Sequence, residues 1–524
     1  GRAARPLLQY GDLLRMLGRG QWQPQSAGVS VPSDRRPRDK ESARRFTGAL
    51  RMIQRDLVIV GAGPAGMAAA ATACRAGLGV TLIDENLSTG GQIYRQSPAA
   101  LAGLSVPTGE SSLHGKQMIG ELESLKDQIE WLPNTSVWGY FPERRLAVRS
   151  DRGWQIIAAK QIILAAGAYE FVSPFPGWTL PGVMTPGGAQ SMVKTMNILP
   201  GSRILIAGSG PFLLVVAAQL HAAGAEVVGV LETARRRDAF RHLPSLFSYP
   251  KLLRQGRHYL QQLRKANIPL HWGHLVTSAE GSECIENATI AACDGNGRPR
   301  GQASTIAIDT LCIGYGFVPR TELAQMADCA MEYCELIGGW IPQVDATFET
   351  SVSGVRVAGD GGGVAGAIVA EIEGTVAGLA AAHQLGTIDD VTYQARFDPL
   401  AKQLRKLRIF RSALDRIYRI RPGLLDLACP DTTICRCEEI SRQEIEEGIE
   451  FGGTNISTLK VITRAGMGPC QGKMCWPAVA RLIADKEGKS VAEVGNVRVR
   501  PPIGSLAMTD LLTELSLDPI QEKH

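Results

Sequence analysis

Short apolar runs followed by Ala-rich stretches of helical length set the rhythm of most of the chain. The run at 57–60 precedes one such stretch and a second run at 80–83, and the same unit recurs across 203–231. Strands that are apolar on both faces and alternate with helices mark parallel βαβ units, because such a strand is covered on both sides. Between the two units, residues 161–167 (QIILAAG) read as a strand ending in glycine, and 172–188, rich in Pro and Gly, as a crossover. A further strand at 310–314 (TLCIG) precedes 355–360 (VRVAGD) and a Gly/Ala-rich helix to about Ala382. The chain is therefore expected to leave one doubly wound α/β domain, build a second and return to the first. Asp398 and Pro399 suit the N-cap and first residue of a helix to Ile420, with Leu400, Leu404, Leu407, Leu414 and Ile417 on one face. Its other face is basic, with Lys402, Arg405, Lys406, Arg408 and Arg416. It reads as a linker packed through its apolar stripe, with docking to an acidic partner as the sharper alternative. Segment boundaries follow: an extension at 1–51, a first domain at 52–175 and 313–395, a second inserted at 176–312, the linker helix at 396–430, a cysteine module at 431–495 and a tail at 496–524.

Composition narrows the class. With 524 residues, 44% hydrophobic and 20% charged, the chain suits a soluble protein of about three domains. The net charge is +5, but residues 1–51 hold ten Arg, one Lys and four acids, a local +7, which leaves about −2 for the remainder. A basic leader without periodicity reads as a flexible extension, with a transit peptide as the alternative, and the balance of the chain gives no case for nucleic acid. Eleven cysteines cannot all pair, and Glu226 and His221 interrupt the longest apolar candidate for a membrane span. A reducing, cytoplasmic setting is expected, with cysteines in metal or redox work.

Two glycine fingerprints carry the first chemistry. GAGPAG at 61–66 follows a strand and opens a helix. Gly61 suits the tight turn, Gly63 the close approach of a pyrophosphate, and Gly66 close helix packing, with Pro64 and Ala65 at the anion-binding helix start. Asp84 falls at the ribose-binding distance, with Glu85 as runner-up. The second fingerprint, GSGPFL at 208–213, supplies Gly208, Gly210 and the acid Glu232, but Leu213 replaces the third glycine and is expected to hold helix and strand further apart. A bound nucleotide is expected there, and hydride chemistry less so. Arg235, Arg236 and Arg237 follow the acid.

Cys435 and Cys437, then Cys470 and Cys475, form the second chemical set, flanked by Gly466, Gly468 and Gly472. Four thiolates suit an iron–sulfur cluster; structural zinc usually takes cysteines two to four residues apart. The other seven cysteines are scattered and read as buried thiols, and His271 and His274 read as surface rather than ligand. No nucleophile elbow, P-loop or defensible general base stands out, so the catalytic residues are left unknown.

The order of GAGPAG, GGQ at 90–92, AAG at 165–167, a second GxG unit and VAGD at 357–360 resembles the two-dinucleotide flavoproteins of the disulfide-reductase superfamily over about 53–395. The resemblance implies FAD at the first site, held by residues that include Gly91, Gln92, Gly167 and Asp360, the last on the ribityl chain. It does not extend to disulfide chemistry, because the chain has no CxxC pair. The CxC and Cx4C spacings, with TRAGMGPCQG at 463–472, resemble the bacterioferritin-associated ferredoxin type of [2Fe-2S] domain.

With GGQIYRQ at 90–96 and FPGWTLPGVMTPGGAQ at 175–190, the whole is similar to the large flavoprotein subunits of opine oxidases, hydrogen cyanide synthase and D-hydroxyproline or proline dehydrogenases. That family implies an amine-oxidising, D-amino-acid-oxidase-like flavoprotein partner, an FMN at the subunit interface, a small ferredoxin-like subunit in some complexes, and contact with the inner face of the respiratory membrane. The second nucleotide site then holds NAD(P) or ATP without hydride transfer. The alternatives are a self-sufficient NAD(P)H-dependent reductase using Glu232, and an iron-handling module that docks a storage protein.

Overall fold

The strand Ile53–Val60, with Leu57, Val58 and Ile59 wholly buried, lies within a seven-stranded sheet. Val80–Ile83 and then Ile129–Leu132 pair in parallel on one side, and Gly153–Leu164 on the other. The long strand Gly153–Leu164 is paired at its far end by Val355–Val357 in parallel and at its near end by the antiparallel Arg145–Ser150, which leads to Ser136–Phe141. Residues 165–354 thus separate two strands that share one ladder, which is how the second domain comes to be inserted. The computed structural model describes residues 52–95, 110–151 and 153–507, with positions 8–9 and 509. Leu8–Gln9 pairs in parallel with Ile198–Leu199; the rest of 1–51 and the end of the tail lie outside the described residues.

The second domain is a five-stranded parallel sheet in the order Leu270–Trp272, Glu226–Glu232, Arg203–Gly208, Thr310–Gly314, Val183–Met184. An antiparallel sheet of His274–Glu280, Asn287–Cys293 and Pro299–Ala307 adjoins it. In the first domain the helix Pro64–Arg75 packs on Ala367–Gln384 with almost no gap. A side chain at Gly374 would collide with Ala65 O, and one at Gly378 would come within 2.5 Å of Ala69 O. The two glycines therefore set the closeness of that crossing.

The linker helix departs from expectation. It runs Asp390–Ile417, capped by Asp389, whose carboxylate accepts from Thr392 N at 2.8 Å, and Pro399 lies inside it rather than at its start. Pro399 is exposed, and the hydrogen bond it forfeits and its crowding of the carbonyl four residues back, together about 3 kcal/mol, are outweighed in a helix of 28 residues that is held along its length by packing. Leu404 and Leu407 pack on Val369, Ile372 and Val376 of the first domain; Phe410, Ala413 and Ile417 pack on Ala234 and Leu246 of the second. The helix thus straps the two domains together. Buried Arg421 follows it, donating to Gly295 O at 2.5 Å and to Asp238 at 3.2 Å.

The cysteine module folds around Ile434, Ile445, Leu459, Val479 and Ile483, with four helices and the two-stranded pair Thr433–Cys435 and Ile440–Ser441. Among the described residues no helix is long and apolar enough to cross a membrane.

Candidate functional site

At the first fingerprint, Gly61 has φ +105° and donates from N to Ile83 O at 2.7 Å. A side chain there would collide with Ala165 O, and one at Gly66 would collide with Gly61 O. Helix Pro64–Arg75 begins at Gly63 with no side-chain cap, which leaves its first N–H groups for an anion. The GGQ loop closes over this turn: Gly90 N donates to Ala62 O at 2.8 Å, and a side chain on Gly91 would come within 2.7 Å of Gly63. Asp84 is occupied at both oxygens, accepting from Ala62 N at 2.6 Å and from Asn86 N and Nδ2 at 2.8 Å. Glu85 instead pairs with Arg320 at 3.0 Å. Burial raises the Glu85 carboxyl, but the charges of Arg320, Lys473 and Arg95 outweigh it and hold it below its usual range.

These groups open on a cleft of about 740 Å³. Of the positions marked in the sequence, Gly61, Gly63, Pro64, Ala65, Asp84, Glu85, Gly91, Gln92, Gly167 and Asp360 line it, and so does Gly210 of the second turn. Gly66 lies in the buried helix start behind the turn. One oxygen of Asp360 accepts from Ala365 N at 2.9 Å and Gly366 N at 3.1 Å. Beneath it, Glu373 accepts from Gly359 N at 3.0 Å; burial pushes its carboxyl up to about 8, with the Gly359 N–H and the Arg408 charge only partly offsetting this.

An unfolded glutamate titrates near 4.3, so between that value and about 8 the unfolded chain has lost a proton that the folded one keeps. The stability contributed by Glu373 is complete below about pH 4 and lost as pH rises through about 8. The melting temperature of wild type is therefore expected to fall more steeply from about pH 5.5 to about pH 8 than that of Glu373→Gln, which keeps an oxygen for Gly359. Parallel curves for the two proteins reject this role.

The second turn is built on the same plan. Gly208 has φ +143°, and a side chain there would collide with Gly314 O. Glu232 accepts from Gly210 N at 2.8 Å and Ala234 N at 2.7 Å, and burial pushes its carboxyl up to about 7 despite those bonds. It is buried beneath the turn, with both oxygens taken, rather than facing the cleft. Leu213 sits in the core among Ile206, Val216 and Ala217. Above the turn comes the end of the strap helix: Leu414, Asp415 and Tyr418 line the same cleft, and Ser209 Oγ donates to Tyr418 O at 3.2 Å.

Several cleft residues carried no signal in the sequence. Glu170 accepts from Gly187 N at 2.9 Å, and burial raises its carboxyl. Lys194 is pushed down to about 8 by burial and by the Arg95 charge, and donates to Ile93 O at 3.3 Å. Arg320 stands over the Tyr169 ring at 4.7 Å. Only the nearness of Glu170 to the AAG glycine, Gly167, could have hinted at any of them.

All eleven cysteines are free thiols. In the module, Cys435 and Cys475 are buried and touch, while Cys437 and Cys470, nearer solvent, form a second touching pair. They stand as two pairs; among the described residues no three metal-binding side chains close on one point. The Cys475 thiol, together with Gly466 N at 3.4 Å, lowers Cys435 to about 6. A side chain on Gly468 would collide with Cys437, and one on Gly466 or Gly472 with Trp476, so the loop's backbone lies directly against the thiols. Four sulfur donors, a backbone N–H aimed at one of them and close-packed glycines fit a [2Fe-2S] cluster.

The pyridine nucleotide-disulphide oxidoreductase family matches residues 55–374, and the BFD-like [2Fe-2S] binding domain matches 433–485. An opine oxidase subunit from Rhizobium meliloti is 34% identical over 467 residues, which cover 87% of this chain and 87% of that protein. Hydrogen cyanide synthase subunit HcnB of Pseudomonas aeruginosa is 34% identical over 448 residues, covering 85% of this chain and 96% of that one. Among solved structures, L-proline dehydrogenase from P. horikoshii has a TM-score of 0.62 at 21% identity over 88% of this chain and 80% of that one, a likeness of fold.

Proposed function

The chain belongs to the pyridine nucleotide-disulphide oxidoreductase family, in the group that holds these opine oxidase and hydrogen cyanide synthase subunits, with a BFD-like [2Fe-2S] domain, and from that premise we propose that this oxidoreductase is the electron-transfer subunit of a heteromeric amino- or imino-acid dehydrogenase. One observation carries the reading: the cysteine module is packed on the wall of the dinucleotide cleft. Trp178 Nε1 donates to Thr433 O at 2.7 Å, and Lys473, between Cys470 and Cys475, reaches to 5.5 Å from the ring of cleft-lining Tyr169. FAD takes electrons in pairs and a [2Fe-2S] cluster passes them singly, so a chain holding both divides a pair into single electrons. In this reading Gly61, Gly63 and Gly66 shape the pyrophosphate turn, Glu85 or Asp84 meets the ribose, Gly91, Gln92, Gly167 and Asp360 flank the remainder of FAD, and the four module cysteines hold the cluster.

Amine oxidation is assigned to a partner flavoprotein related to D-amino-acid oxidases, with FMN between the subunits and a small ferredoxin-like subunit in the complex. The substrate is an opine, D-hydroxyproline, proline or glycine. In support, seven carboxylates that line the cleft or lie buried beneath it already have partners, which leaves Glu322, beside Tyr169, as the further acid on its wall. Asp84, Glu170, Glu232, Asp360 and Glu373 accept from backbone N–H groups, and Glu85 and Asp415 pair with Arg320 and Arg411. None of these seven is placed as a free general base. The relatives' names, each that of one subunit, support a heteromer. A cytoplasmic location suits eleven free thiols.

The second reading is an NAD(P)H-dependent reductase. Against it, Glu232 lies buried beneath the second turn and does not line the cleft, Arg235 is paired with Asp238 at 3.0 Å, and Tyr418 O sits on Ser209. The second turn then holds NAD(P) or ATP as a nucleotide that transfers no hydride. In an anaerobic titration, dithionite is expected to bleach the flavin while NADH and NADPH do not; bleaching by either within about a second makes the chain a reductase.

A further inference from the structure

Beyond the glycine turns, one corner of the cleft gathers two cations. Lys194 belongs to the π-helical turn Met192–Met196, which continues the short helix Pro186–Ser191 of the second domain. Turns of this kind are rare and occur often at functional sites. Lys194 and Ser191 line the cleft, and so do Ile93 and Arg95 of the GGQIYR stretch. The two segments are laced together: Lys194 Nζ donates to Ile93 O at 3.3 Å, and Arg95 Nη1 to Ser191 Oγ at 2.6 Å. Both cations are half-buried, and Lys194, held down to about 8 by burial and by Arg95, is still charged at neutral pH.

Neighbouring contacts fix where along the cleft this corner lies. Between Ile93 and Arg95, Tyr94 donates to Glu371 at 2.7 Å, and Glu371 follows Ala370 on helix Ala367–Gln384, whose Ala367 and Ala370 line the cleft. That helix starts directly after the turn in which Asp360 accepts from Ala365 N and Gly366 N. With the ribose at Glu85 or Asp84 and the ribityl chain at Asp360, the ring of FAD continues past Asp360 toward the two cations; the inference rests on that reading of the cleft. The acid on the adjoining wall, Glu170, is held by Gly187 N, and burial raises its carboxyl, which weakens it as a counter-charge. Two like charges kept side by side in a half-buried corner cost stability, and a negative charge arriving there relieves the cost.

We propose that Lys194, with Arg95 beside it, stabilises the negative charge that FAD gains on reduction and so sets the potential at which this chain accepts electrons. A flavin ring that takes two electrons and one proton carries one negative charge more than the oxidised ring, and a cation beside it favours the reduced form. The electrons and the proton come from the amine through the partner flavoprotein, or from a chemical reductant in the test. Because the oxidised ring is uncharged, the two cations act on the reduced form almost alone. Their effect therefore falls on the potential rather than on how tightly oxidised FAD is held.

The test uses the full-length, FAD-loaded chain, reduced stepwise against a reference dye. Lys194→Met is expected to lower the ratio of reduced to oxidised FAD at a given potential about tenfold, which for a two-electron couple is about 30 mV. Sulfite is the second probe, because it bonds to N5 of the flavin and leaves a negative charge on the same ring. Its Kd is expected to rise about tenfold in Lys194→Met, to rise also in Arg95→Gln, and to stay near wild type in Lys194→Arg. A merely structural role would move FAD content and melting temperature and leave the potential and the sulfite Kd where they were. Wild-type potential and sulfite affinity in a Lys194→Met chain that retains FAD overturn the proposal. A Lys194→Met chain that loses its FAD makes Lys194 a binding residue, which overturns the tuning role as well. Flavin absorbance of the wild type is read first: a chain without FAD overturns the reading of the cleft itself, whereas unshifted variants of an FAD-loaded chain overturn only the role of Lys194.

Discussion

Cys470→Ser is expected to remove the visible and electron-spin signals of a [2Fe-2S] cluster while the FAD content stays at the wild-type value. A serine oxygen is a poor substitute for a thiolate toward iron, and a cluster of this type needs all four sulfur ligands. The loss should stay local, because the module has its own core of Ile434, Ile445, Leu459, Val479 and Ile483, whereas the flavin turn belongs to the sheet of Ile53–Val60. Cys429→Ser is the control: Cys429 is exposed, outside the two thiol pairs, and its replacement should leave the signals intact. If Cys470→Ser also empties the flavin site, the contacts of Trp178 and Lys473 make cleft and module one cooperative unit, and the division into independent centres fails. If the signals survive, Cys470 is not a ligand of the cluster and the four-cysteine assignment fails.

Gly66→Val is expected to leave a protein that cannot retain FAD through desalting, with a melting temperature well below wild type. The added Cβ would collide with Gly61 O, part of a turn that cannot retreat because Gly61 N is bonded to Ile83 O and Ala62 N to Asp84. Overpacking against a backbone fixed from both sides costs on the order of 3 kcal/mol or more, which is a large share of a domain's stability. Gly77→Ala makes the comparison fair. Gly77 has φ +86° but no neighbour within contact, so only the left-handed backbone penalty of about 1–2 kcal/mol applies. Stoichiometric flavin in Gly66→Val, measured by absorbance after desalting, would remove the first turn as the FAD site.

The reach of the sequence differed by residue. Its alternation of apolar runs and helices is enough for an α/β fold with two dinucleotide units, and the cysteine spacing is enough for a BFD-like domain; the family matches agree with both. Helix ends were less legible. Asp398 with Pro399 has the form of a start, yet Asp389 is the cap, because a helix fastened to two domains by Leu404, Leu407, Phe410 and Ile417 tolerates one missing N–H. Arg421, Lys194 and Arg320 carry no motif, since what matters about each is a partner far along the chain.

By itself, then, the sequence determined where the two glycine turns fall and how the four thiols of the module are spaced, because a glycine's freedom and a ligand's spacing are local properties. The tertiary structure alone decided that Gly61 and Gly210 open on one cleft, that Asp84 and Glu232 both accept from backbone N–H groups, and that Tyr418 covers the second turn. Those outcomes depend on Val355–Val357 returning beside Gly153–Leu164 and on one long helix finding a groove on each domain. They are set by summed burial between distant segments, which no window of residues records.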